Sequence, residues 1–204
     1  MEQNEYMRNE PVGRLIHRFA VPGVVSMVVN SLYNIVDQIF IGHSIGYLGN
    51  AATNIILPVN VVALAIAVML GDGAAAFMSL NLGRMRKGIA AEGVKGVLAA
   101  SVAAGLGLSA LILLFLQPIC RICGATEAVM PYATEYGRII SYGIFIVVIS
   151  TAMNSIIRAD GSPKFAMAAM VSGAVTNVVL DALFIFGFGW GIAGAAWATV
   201  IAQC

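Results

Sequence analysis

Charge is what this sequence has least of. Only 10% of its 204 residues are Asp, Glu, Lys or Arg, against about 25% in an ordinary soluble domain. A soluble chain so poor in charge could not clothe its surface in polar groups. The formal net charge of +1 also argues against nucleic acid as a partner, because that surface needs a clustered basic patch. Cysteine is scarce as well. Cys120 and Cys123 form a C-x-x-C pair, and with Cys204 as the one further cysteine they do not make a four-ligand zinc site. Packing is the default reading for such thiols. His17 and His43 stand at helix ends without a partner at ligand spacing. There is no Walker loop and no dinucleotide glycine motif in a strand-to-helix context. ATP-driven transport by this chain alone is therefore not expected. Neither is catalysis, since no nucleophile is paired with a general base in a recognisable motif.

What remains is apolar. Hydrophobic residues make up 60% of the chain, and the mean hydropathy is +0.90. A bilayer core of about 30 Å needs roughly 20 apolar residues per helix. Six such helices and short loops use up the chain. The first is expected from about Phe19 to Ile41, after a polar N-terminal segment, residues 1–18. The others are expected at about Ala51 to Leu82, Val94 to Leu116, Tyr132 to Ile157, Pro163 to Phe188, and Gly191 onward. Residues 19–204 then form one six-helix transmembrane lobe. The polar opening segment and the long apolar run behind it do not fit a cleavable signal peptide. The last helix is still apolar at Cys204, so the natural chain is expected to continue.

Lys and Arg gather on one side of this arrangement. Arg8, Arg14 and Arg18 lie there, with Arg84, Arg86, Lys87 and Lys95, then Arg158 and Lys164; only Arg121 and Arg138 fall on the other. The positive-inside rule places the N-terminus in the cytoplasm. The expected location is the cell membrane, with lipid as the surrounding partner.

Three acids lie inside apolar segments: Asp37, Asp72 and Asp181. A charge near the bilayer centre costs at least about 2.5–3.5 kcal/mol, so such residues usually mark an ion or substrate path. The plainer reading is a buried acid neutralised by a proton or an amide. Depth separates the three. Asp37 lies 18 residues beyond Phe19, and Asp181 lies 18 beyond Pro163. At about 1.5 Å per residue both reach a similar level in the outer half of the bilayer. Thr199, coming down from Gly191, reaches it too. Asn177 shares a face with Asp181 four residues on, as Asn30 and Asn34 do with Asp37. Carboxylates with amide and hydroxyl partners suit a hard cation, Na⁺ by analogy with other hard ions, and the same oxygens would hold a proton. Asp72, between Gly71 and Gly73, reads as lining the inner part of a cavity or as structural, because the glycines permit close helix approach. Pro22 reads as a static kink or as a hinge. Tyr136 is at the outer end of its helix, where interfacial anchoring is ordinary. Asn154 is near the inner end and could line a cavity lower down.

Several motifs occur in one order. Arg158-Ala159-Asp160-Gly161-Ser162-Pro163-Lys164 is followed by Asn177 and Asp181. Tyr33 to Gly42 reads YNIVDQIFIG, and Leu82-Gly83 precedes a basic stretch. Pro118 and Gly124-Ala125 stand ahead of Tyr136. Across nearly the whole chain this pattern resembles the multidrug and toxic compound extrusion (MATE) family. The resemblance implies an all-α integral membrane protein, one lobe of a twelve-helix, two-lobe transporter. It implies exchange of Na⁺ or H⁺ for organic cations or other amphipathic compounds, with a second six-helix lobe as partner and no cofactor beyond the coupling ion. By motif position the cation site maps onto Asp37, Asn177, Asp181 and Thr199. Tyr136 and Asn154 map onto the cavity lining, and Pro22 onto the proline that bends the first helix. Two other readings stand beside it. One is a flippase for a lipid-linked saccharide, which should line its cavity with basic residues where this chain has acidic ones. The other is a non-transporting scaffold, which would not need two acids at matched depth.

Overall fold

The computed structural model describes residues 11–204. Arg8 and the opening residues of the expected N-terminal segment lie outside them. Among the described residues the chain is all helix. The elements run α1 (Val12–Ser44), α2 (Tyr47–Gly83), α3 (Lys87–Ile122), α4 (Met130–Ala159), α5 (Pro163–Asp181), a π-helical extension (Ala182–Gly187) and α6 (Gly191–Ala202). Five of these, counting α5 with its extension, are long and apolar enough to cross a membrane; α6 is a shorter apolar helix.

The helices outrun the apolar spans at several ends. α1 starts at Val12 rather than Phe19, and α3 starts at Lys87 rather than Val94. Backbone hydrogen bonding continues into the polar flanks because a helix satisfies its own amides whether lipid or water surrounds it. The clearest departure is in α5. A plain α-helix was expected to Phe188, but the backbone widens to π geometry directly after Asp181. π segments are rare and occur frequently at functional sites.

α2 and α4 form the centre, with α3 packed on both. The main core joins Ala52, Ile56, Ala63 and Ala67 of α2 to Ile140, Ile144 and Val148 of α4, with Ile112 of α3 and Ala196 of α6. Small residues bring the backbones together, as in membrane helix packing generally. A Cβ on Gly71 would stand 2.7 Å from the Ala152 Cα, and one on Gly105 would stand 2.7 Å from the Phe145 Cα. α1 lies at the opposite edge from α3. It packs chiefly on α5 and only slightly on α2.

Two prolines inside helices have different outcomes. Pro118 in α3 forces Phe115 out of helical geometry, to φ −112 and ψ 19, because its ring crowds the carbonyl four residues back. Pro22 leaves α1 continuous. There the Ser26 hydroxyl donates to the Pro22 carbonyl at 2.8 Å, a back-bond that itself tends to bend a helix.

Candidate cation-coupling site

The acids of α1 and α5 meet inside the lobe. Asp181 is 0% exposed, Asn177 1% and Asp37 7%, so all three are withdrawn from the surface. The Asp37 and Asp181 carboxyl groups face each other at close range. Asn177 sits one turn before Asp181 on α5, and its Nδ2 donates to Thr199 Oγ1 of α6 at 3.5 Å. Three helices therefore converge on one polar point. The π extension helps to hold it there. Ile185 of that extension packs with Ile41 of α1 and Ala195 of α6, sealing the site with an apolar cluster.

The donor inventory is unbalanced. Asp37 Oδ1, Asn177 Oδ1 and both carboxyl oxygens of Asp181 are buried without a hydrogen-bond donor. Each such group costs about 1–3 kcal/mol when left unpaired. Two facing carboxylates also repel one another. A hard cation or a proton removes both penalties at once. The oxygen-only donor set fits Na⁺, which by analogy with other hard ions favours carboxylate, amide and hydroxyl oxygens. Among the described residues no three His, Cys, Asp or Glu side chains group together, so the amide and hydroxyl are needed to complete such a shell.

The family model described as MatE matches residues 22–183. This chain belongs to the MatE family. Multidrug export protein MepA of Staphylococcus aureus (strain MSSA476) is 26% identical over 206 residues, covering 99% of this chain and 45% of its own length. A solved outward-facing conformation of a multidrug resistance MATE family transporter of the MOP superfamily superposes with a TM-score of 0.92 at 31% identity, covering 100% of this chain and 45% of that one. A crystal structure of MATE in the bent conformation gives 0.91 at 31% identity, with the same coverage. The chain thus spans about half the length of the relatives it matches, and those relatives are transporters. The MatE fold and the five long apolar helices make this a multi-pass membrane protein.

Tyr136 departs from the interfacial reading. It is a buried core residue of α4, within electrostatic range of Asp37 and Asp181. Asn154 stays away from the acids. Its Nδ2 donates to the Ala166 carbonyl at 3.3 Å, tying α4 to α5 near their shared turn. Asn30 and Asn34 bond to each other, Asn34 Nδ2 to Asn30 Oδ1 at 2.8 Å. Asn34 is exposed while Asp37 is buried, so the shared helix face divides between surface and interior. Asp72 is exposed beside the close approach of Gly71 to α4.

Sequence reasoning passed over three neighbours of the site. Tyr33 lies within electrostatic range of both acids. Its position four residues before Asp37, on the same helical face, was the signal available. Gln38 and Thr53 bond across α1 and α2, Gln38 Nε2 to Thr53 Oγ1 at 3.1 Å. No spacing rule announces that pair, because it depends on how two separate helices are rotated.

Proposed function

We propose that this lobe is the cation-coupling half of a secondary active multidrug exporter, which moves organic cations or other amphipathic compounds against Na⁺ or H⁺. The single observation that carries the reading is the facing pair of buried acids, Asp37 and Asp181, with carboxyl oxygens that no donor satisfies. Asn177 and Thr199 complete the oxygen shell. A second six-helix lobe, in keeping with relatives about twice as long, supplies the other wall of the transport path. Residues 19–204 act as one lobe, and the gathering of basic residues at one end supports a cytoplasmic N-terminus in the cell membrane.

The mechanism follows from which helix is least tied down. With the site empty, the acids of α1 and α5 repel. With Na⁺ or H⁺ bound, they are drawn together. α1 packs mainly on α5, and it carries Pro22 and the Ser26 back-bond as a ready bending point. Cation binding therefore biases α1 between two shapes, which is how a bound ion acts on a two-state element. Tyr136 lines the path beside the acids, and Asn30, Asn34, Asn154 and Asp72 offer polar contacts along it. The flippase alternative is not favoured, since the acids buried within the lobe suit cationic cargo.

The test is ethidium retention in cells that lack their own pumps. The full-length protein should lower retention, and collapse of the ion gradient should abolish the effect. Asp181→Asn should abolish it as well. Efflux that stays cation-driven in Asp181→Asn would overturn the reading.

A further inference from the structure

Gln38 follows Asp37 on α1, so the two side chains leave the helix about 100° apart. Asp37 turns to α5, while Gln38 turns to α2. The Gln38 amide donates to Thr53 Oγ1 at 3.1 Å. The Thr53 hydroxyl in turn donates to the Asn50 carbonyl at 2.9 Å. The same Gln38 side chain lies close enough to the Asp37 carboxyl to act on it electrostatically. Thr53 is buried and Gln38 half-buried, so water does not readily replace either partner. α1 and α2 otherwise touch only slightly. This contact is a polar tie between them at the level of the acids.

We propose that Gln38 and Thr53 are positioning residues for the cation site: together they aim the Asp37 carboxyl at Asp181 and hold α1 against α2 where the ion binds. The inference rests on the cation-site reading above. Loosening the pair leaves the ligands present but the Asp37 carboxyl misaimed. The loss falls on cation affinity rather than on the capacity to move substrate.

Full-length transporters carrying Thr53→Val or Gln38→Met keep side-chain size while removing the bond. Ethidium efflux is measured against the concentration of the driving cation, at equal abundance in the membrane. Each variant should raise the half-saturating concentration about fivefold, the scale of one net hydrogen bond, with the maximal rate little changed. Thr53→Ser, which keeps the hydroxyl, should restore it. The double variant should be no worse than Gln38→Met, which already removes the bond to Thr53. A half-saturating concentration within about twofold of the unaltered protein overturns the proposal, even where the maximal rate falls, since that is the mark of a merely structural contact. Asp181→Asn serves as the reference. If it loses cation dependence while the Gln38 and Thr53 variants behave normally, only the positioning role fails. If it keeps cation dependence, the site reading fails and the inference goes with it.

Discussion

Asp181 is a residue whose burial works against the fold that holds it. Both of its carboxyl oxygens lack donors, and Asp37 faces it. Such groups persist where function requires them, and replacing them commonly stabilises the protein at the expense of activity. Asp181→Asn should therefore raise the thermal stability of the purified protein by about 1–3 kcal/mol while abolishing cation-driven efflux. A second readout follows from linkage. A cation that binds only the folded protein raises its melting temperature, and the gain grows with the logarithm of cation concentration once that exceeds the dissociation constant. The unaltered protein should gain stability with added coupling cation, and Asp181→Asn should not. A melting curve with and without the cation checks both. Of the site itself, the sequence makes Asp37, Asn177, Asp181 and Thr199 legible through depth counting, since α-helical rise is fixed. Tyr33, Gln38 and Thr53 escape that count, because helix rotation is set by packing and not by residue number.

At the scale of the element, the helices were readable and their ends less so. Apolar runs mark where lipid contacts a helix, not where its hydrogen bonding stops, so α1 and α3 begin a turn or two before their apolar spans. The π extension after Asp181 has no compositional signature in Ala182 to Gly187; it coincides with the packing of Ile185 against Ile41 of α1 and Ala195 of α6. Close helix approach is easier to test. A methyl on Gly71 would press on the Ala152 backbone at 2.7 Å, whereas one on Gly73 meets nothing within 4 Å. Gly71→Ala should destabilise the lobe by about 1–3 kcal/mol, as overpacking does. Gly73→Ala, in the same helix and two residues away, should be neutral or stabilise by up to about 1 kcal/mol through helix propensity. Thermal melts of the two variants side by side check the difference. Equal destabilisation would mean that α2 and α4 do not approach through Gly71.

The whole lobe is asymmetric in charge from end to end. Arg84, Arg86 and Lys87 close one end with Arg158 and Lys164, while the turn from α3 to α4 at the other end carries Arg121 and Glu127. Because successive helices reverse direction, the α2–α3 turn and the α3–α4 turn must lie on opposite sides of the bilayer if α3 spans it. Translocation disfavours moving the more basic turns across, so the α2–α3 turn is expected in the cytoplasm. Met85 in that turn is 80% exposed, and Ala128 is exposed in the α3–α4 turn. In a background where Cys120, Cys123 and Cys204 are replaced, Ala128→Cys should react with a membrane-impermeant maleimide in intact cells. Met85→Cys should react only after the membrane is permeabilised. The reverse pattern would place the basic end outside and overturn the cytoplasmic N-terminus, with the acids then sitting nearer the inner leaflet. Reaction of both in intact cells would mean that α3 does not cross the bilayer, and the matched depth of Asp37 and Asp181 would lose its membrane meaning.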